Sequence, residues 1–235
     1  MTGPELRNLF NVQYNNIFNQ SSPGLNDYEI SLYLTKALKE LVQSYYTGQL
    51  DGNPIDSSEE SRELLAFYTK EKNYTDLTSL EGKFLCYETN IIIEDNLWYV
   101  LNEFDYDGNK WIKIKPIPFD KINGLLNNPY KAPTLYRSYR VEYNVNDKIQ
   151  FRIYSKLPVK IYNMTYLETP SVVIIDDLNK IVQGLTIEGK NSITIPQYPN
   201  PWIWTLIINR AVELATRDYK ENTLTSQVQL NSRVQ

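Results

Sequence analysis

The chain has 235 residues, 24 basic and 28 acidic side chains, a net charge of −4, no histidine and one cysteine, Cys86. That length allows one large domain or two small ones, and 42% hydrophobic with 22% charged residues excludes a wholly disordered or fibrous chain. The acidic balance argues against a protein held on nucleic acid mainly by phosphate neutralisation, while the missing histidines remove Ser-His-Asp and Cys-His catalysis and ordinary zinc sites.

In chain order, Pro4 opens a first helix to about residue 18, with Leu6, Leu9, Phe10, Tyr14, Ile17 and Phe18 at helical spacing. The Ser-Ser-Pro-Gly run ending at Gly24 breaks it. Asn26 with Glu29 predicts a capping box, flanked by Leu25 and Ile30 as a hydrophobic staple. The second helix then carries Ile30, Leu34, Leu38, Leu41 and Tyr45 and stops before Gly48. A third helix follows Ser57 and Glu60, with Leu64, Leu65 and Tyr68 on its apolar side. From about residue 80 the pattern turns to strands, over 83–88, 98–104, 110–115, 135–145, 148–154 and 159–167. Asp107-Gly108 and Asn146-Asp147 read as turns, 120–127 as a short helix, and 172–195 as irregular β. Asn200 and Pro201 open a last helix whose face of Ile203, Ile207, Ala211, Leu214 and Ala215, flanked by Trp204, Ile208 and Val212, is too broad for a lone surface helix. Leu34, Leu38 and Leu41 are expected to pack with Ile207, Ala211 and Leu214.

The expected fold class is α+β, a bundle of N-terminal and C-terminal helices with a central, mainly antiparallel β region. Its expected parts are a helical region over 1–78, a β-rich region over 79–199, a helix over 200–220 packing on the first helices, and an extended polar tail over 221–235. The first twenty residues lack the apolar run of a secretory signal. Trp202 to Ile208, the densest apolar stretch, is far short of the ~18 residues of a membrane span. A lone cysteine closes no internal disulfide, so a soluble protein made in a reducing cytoplasm is expected.

Gly184 to Asn191 nearly spells a phosphate-binding loop, but Asn191 stands where a hydroxyl is needed, and the interior alternates like a strand. Asp105, Asp107 and Asn109 hold the first three ligand spacings of a calcium loop, yet Lys110 replaces its glycine and Pro116 its final glutamate. Glu59/Glu60 and Asp176/Asp177 are neighbours in sequence and do not face each other as hydrolytic acid pairs must. Cys86, between Leu85 and Tyr87, reads as a small core residue. No catalytic, cofactor-binding or metal-ligating residue is assigned. The 19 Tyr, 4 Trp and 7 Phe suit both an aromatic core and surfaces buried only on association.

Three segments carry a family resemblance. Leu25 to Ser31 leading into Leu34 to Val42, Tyr162 to Pro170 with Val173 to Ile175, and Asn209 to Ala215 with Tyr219 together resemble a family of virion proteins from crAss-like phages of gut Bacteroidales. The resemblance implies a head-to-tail connector, an adaptor or neck ring stacked on the portal that extends the DNA channel toward the tail. It implies no catalytic residues and no cofactor. Its expected partners are copies of itself in a cyclic ring, twelvefold by family analogy, the portal, other neck or tail rings and passing DNA without sequence-specific binding. No membrane partner is expected, and the location is the virion. Leu224, Val228 and Leu230 are the candidate interface residues of the tail. The alternative is a tail or fibre module that binds glycans through exposed Tyr and Trp.

Overall fold

Asn26 accepts from the Glu29 amide while the Glu29 carboxylate accepts from the Asn26 amide, so the predicted capping box is formed and starts α2 (Asp27–Thr47). Gly48 ends that helix in the left-handed region at φ 72°, where a side chain would be strained. The computed structural model containing this helix describes residues 1–18, 24–50, 53–54, 59–75, 77–82, 86–93, 96–146 and 148–232; the side chains of 18, 53, 54, 60 and 221–232 are not among those described. Ser57, Asp147 and the start of the predicted 83–88 strand therefore lie outside the described residues. The chain divides into two units, one of residues 1–67 with 170–235 and one of residues 68–169.

The first unit is helical. In α1 (Gly3–Phe18) Leu6, Phe10 and Tyr14 are buried one turn apart, and the Phe10 and Tyr14 rings stack at 5.8 Å. Leu9 and Ile17, expected on the same stripe, are exposed instead. Leu9 stands roughly 60° from Leu6 and 100° from Phe10, at the edge of the stripe, whereas Ile17 is on the stripe but in the last turn of the helix. The inner positions of α2, Ile30, Leu34, Leu38 and Leu41, are all buried. Minimal strands β1 (Gln49–Leu50) and β2 (Asn53–Pro54) pair with each other before α3 (Glu59–Tyr68), which buries Leu64.

The last helix, α5 (Trp202–Ser232), is capped by Asn200, whose Oδ1 accepts from the Trp202 amide at 3.0 Å. It packs against both α1 and α2, and its eight expected apolar residues are all buried. Arg210 ties it to α2 by donating through Nε and Nη2 to Glu40 at 3.1 and 2.8 Å. The helix continues to Ser232, whereas an extended tail was expected from 221. Once a helix is nucleated each further residue adds a hydrogen bond at small cost, so a polar sequence without Gly or Pro can prolong it.

A second helix face explains why 170–199 belongs with the helices. Ser31 and Thr35 lie one turn apart on α2, both buried. The Val173 amide donates to Thr35 Oγ1 at 2.9 Å and the Ile175 amide to Ser31 Oγ at 3.2 Å. Ile174 bridges to Thr194, and Val172, Ile174, Leu178 and Ile187 form a small core beneath. Gly3 approaches so closely that an added Cβ would stand 2.0 Å from the Ile175 carbonyl oxygen. The boundaries thus fall at Tyr68 and Pro170, not at 79 and 200.

The second unit is an eight-stranded sheet. Its strands are β3 (Thr69–Tyr74), β4 (Ser79–Glu81), β5 (Tyr87–Ile93), β6 (Leu97–Tyr106), β7 (Trp111–Pro116), β8 (Ser138–Val145), β9 (Lys148–Ser155) and β10 (Ile161–Glu168), in the order β3-β10-β6-β7-β8-β9-β5-β4. All neighbours are antiparallel except β7 and β8. β7 changes partner along its length, pairing with β6 through Trp111 to Lys113 and with β8 through Ile114 to Pro116. Tyr162 on β10 meets Phe151 on β9 edge to face at 6.4 Å although three strands separate them in the sheet. The sheet therefore curls until its inner face closes on itself around Ile91, Ile114, Ile153 and Met164. On the outer side α4 (Ile122–Leu126) covers Tyr139, Val141 and Tyr154 together with Cys86, which is buried as expected. Both α-helices and an antiparallel-dominated sheet are present, as an α+β class requires.

Leu38 is fully buried on the α2 face that carries the helical core. Leu38→Ala is expected to destabilise the protein by about 2 to 5 kcal/mol, measured as a shift of the urea midpoint at unchanged slope.

Candidate functional site

The largest concentration of buried charge lies inside the curled sheet. Glu103 and Asp105 alternate along β6, and Arg140 and Ser138 alternate along β8, so all four point inward across the intervening β7. Glu103 and Asp105 are 4% and 2% exposed. Arg140 Nε donates to Glu103 at 2.9 Å, Tyr162 OH donates to the other Glu103 oxygen at 2.9 Å, and the guanidinium lies 4.0 Å over the Phe151 ring. Ser138 Oγ donates to Asp105 Oδ2 at 2.7 Å, while Asp105 Oδ1 has no hydrogen-bond partner among the described residues.

Burial pushes the Asp105 carboxyl up to about 6, against the opposing pull of the Ser138 hydrogen bond. Burial also raises Glu103, with Arg140 and Tyr162 opposing. Burial is the leading cause holding the Tyr162 hydroxyl far above its usual range, and the neighbouring Glu103 charge adds to it. A pair of inward carboxylates can suggest hydrolysis. Here one is an ion pair and the other a hydroxyl's acceptor within the core, a structural arrangement that links three strands. The cleft of about 390 Å³ formed by Pro116 to Phe119 reaches Arg140 and Glu142. Sequence reasoning missed this cluster. Its one legible signal is charged residues alternating with aromatics, Glu103-Phe104-Asp105-Tyr106, which leaves open which set faces in.

The motifs weighed from sequence are occupied locally. Ile187 and Lys190 bridge across Glu188 and Gly189, both at positive φ, so the near phosphate loop is a tight β-turn. Asp107 Oδ1 accepts from the amides of Asn109 and Lys110 and thereby closes the expected hairpin turn, while Asp105 is drawn inward to Ser138. Asp176 pairs with Lys180 and Arg7, and Asp177 accepts from the Asn179 amide. Among the described residues no group of three His, Cys, Asp or Glu side chains could hold a metal ion, and no helix is long and apolar enough to cross a membrane.

The described surface carries two grooves and an aromatic face. In the helical unit a groove of about 600 Å³ runs between α1 and α5, lined by Gln13, Ile17, Asn209, Val212 and Thr216. A second, of about 550 Å³, lies between α3 and the start of α5, lined by Glu63, Ala66, Phe67, Pro199 and Ile203. The β unit displays Trp111, Phe119, Tyr130 and Tyr136 to solvent. The interface residues expected in the tail, Leu224, Val228 and Leu230, fall in the last turns of α5 and outside the described side chains.

Asp105 gives a test of the buried cluster. Its folded pKa lies above the ordinary 3.8, so the folded state holds the proton more tightly, and stability falls as pH rises from about 4 to about 6 and stays lower above. Asp105→Asn keeps an acceptor for Ser138 without the charge. The variant should exceed wild type by roughly 2 to 3 kcal/mol at pH 8, and the gain should vanish near pH 4 in parallel denaturant titrations. Arg140→Met, which strands Glu103, should cost about 3 to 5 kcal/mol.

Comparison with known proteins places this architecture. The sequence family described as phage tail ring protein 3/4 matches residues 1–227, which includes all of the β unit and most of the helical one. Ring protein 4/5 of Bacteroides phage crAss001 is 30% identical over 237 residues, covering 97% of this chain and 98% of the relative. Ring protein 3 of the same phage is 26% identical over 228 residues, covering 92% and 95%. A match that spans both units and nearly the full length of each relative makes the chain a member of the phage tail ring protein 3/4 family of crAss-like phages.

Proposed function

We propose that the chain is one subunit of a closed cyclic ring at the portal-tail junction of a phage particle, a head-to-tail adaptor or neck ring that extends the DNA channel. The observation that carries this reading is the family match across residues 1–227, supported by full-length similarity to two different ring proteins of one phage. Helices from the two ends of the chain form the bundle of the subunit in this reading, in line with the packing of α5 against α1 and α2. The subunit is passive toward chemistry, its inward carboxylates being engaged by Arg140, Tyr162 and Ser138. The ring is twelvefold by family analogy and stacks on the portal or on other neck and tail rings. DNA passes without sequence-specific binding, which a net charge of −4 favours by repulsion.

The end of α5 is the proposed link to the next ring or to the portal. Leu224 and Val228 stand one turn apart in its sequence and, with Leu230, anchor between neighbouring subunits. Deleting residues 221–235 should leave the melting temperature nearly unchanged and abolish incorporation into particles; normal incorporation would assign assembly to the folded body alone.

The second reading, a glycan-binding tail or fibre module, is favoured by the exposed Trp111, Tyr130 and Tyr136. Localisation decides between them. An affinity-tagged copy imaged by electron microscopy on intact particles should label the neck, and label on an outer appendage would overturn the ring reading.

A further inference from the structure

Between residues 106 and 137 the chain carries Lys110, Lys113, Lys115, Lys121, Lys131 and Arg137 against Asp107 and Asp120, a local charge of +4 in a chain of −4. On β7 the exposed Trp111, Lys113 and Lys115 alternate with the buried Ile112 and Ile114. They therefore stand in one outward row, about 7 Å apart. At the head of the row Trp111 lies 5.1 Å from the Tyr106 ring, and Lys110 Nζ sits 3.7 Å from the centroid of Tyr136. Trp111, Tyr136 and Tyr130 are 52%, 81% and 90% exposed.

The loop that presents the tyrosines is pinned. Arg137 Nη2 donates to the carbonyls of Tyr130 and Ala132 at 3.0 and 3.1 Å, and Tyr139 OH donates to that of Lys131 at 2.6 Å. Aromatic anchors on a backbone already fixed lose little freedom on docking, which is how interface hot spots are built.

A face of one charge sign cannot pair with its own image, so a two-fold contact through it would set lysine against lysine. A complementary surface occurs elsewhere on the same chain. On α3 Glu59 and Glu63 are exposed one turn apart, and Glu63 borders the apolar groove walled by Ala66, Phe67, Pro199 and Ile203. Asn200 Nδ2 donates to the Glu63 carboxylate at 2.9 Å and holds it at the rim. Nucleic acid phosphates would also meet the lysines, but they offer nothing to cover Leu135, exposed in the same 127–137 loop.

We propose that the basic aromatic face of β7 and the 127–137 loop docks into the α3 groove of a neighbouring copy, a head-to-tail contact that closes into a ring when repeated. This pairing rests on the ring reading above and names the two surfaces that would make it. The test uses full-length protein supplied in trans during particle assembly, with Cys86→Ser removing the native thiol. Lys113→Cys with Ala66→Cys in one chain should give a ladder of cross-linked oligomers with a short bismaleimide, and either cysteine alone should give none.

Lys113→Glu with Lys115→Glu should lower incorporation by about tenfold or more at an unchanged melting temperature. Adding Glu59→Lys and Glu63→Lys to the same chain should restore it. Particles that hold the ring but give no ladder, or a charge reversal that incorporates normally, overturn the pairing and leave the ring reading standing. A wild-type protein absent from the neck overturns both. Loss of fluorescent 20-base-pair duplex binding by the reversed face, without a ladder, would reassign it to nucleic acid and overturn the pairing.

Discussion

Two hydroxyl groups decide how this chain divides. Ser31 and Thr35 present side-chain oxygens from one buried stripe of α2, and the backbone at Val173 and Ile175 donates to them from 138 and 144 residues away in sequence. A buried amide without an acceptor costs free energy comparable to a lost hydrogen bond. Within the irregular 170–199 stretch Ile174 bridges to Thr194, and the amides on either side of it, Val173 and Ile175, find their acceptors on α2. Because that grip fixes the returning chain on the helices, everything between Phe67 and Pro170 can be a separate folding unit. The entropy of closing so long a connection grows only logarithmically with its length, so an inserted unit is tolerated.

The inserted sheet solves a different problem, how to hold charge in a closed interior. Arg140 meets Glu103 with a near-ideal hydrogen bond, Tyr162 satisfies a second carboxylate oxygen, and Phe151 covers the flat guanidinium. A buried pair of this kind roughly balances its own desolvation, and its removal by halves is what costs. Its value lies in specificity. A one-residue slip of β6 or β8 would turn Glu103 or Arg140 outward and leave its partner alone inside. The cluster thus guards the register across β7, the strand that changes partners midway and has a ladder of only three residue pairs to each neighbour.

Much of this was legible in the sequence, and the failures share a cause. Asn26, Glu29 and Gly48 mark α2 at both ends, Asn200 marks the start of α5, and Asp107-Gly108 marks the β6–β7 turn, because caps and turns are local chemistry. The strands β6 to β10 follow from alternation. β3 escaped because Thr69 to Tyr74 is mostly polar, as an end strand of a sheet is, and its assignment comes from pairing with β10. The membership of 170–199 in the helical unit and the inward turn of Glu103 and Asp105 are likewise decided by distant partners. The basic aromatic face left a trace, the charge excess between 106 and 137, that composition averaged over the whole chain conceals.

The divided helical unit also imposes a timetable on synthesis. Residues 68–169 leave the ribosome as one contiguous block and can complete their sheet, whereas α1 and α2 wait for the core of α5 at Ile203 to Ala215. From the end of α2 at Thr47 to Ala215, at roughly 5 to 20 residues per second, that wait is of the order of ten to thirty seconds. During it the side of α2 that packs against α5 lacks its partner, so a nascent chain is sticky and unfinished on one side. A chain truncated before α5 never leaves that state. Translation thereby acts as a gate on quality, since only full-length subunits present the closed helical surface from which an ordered assembly can be drawn.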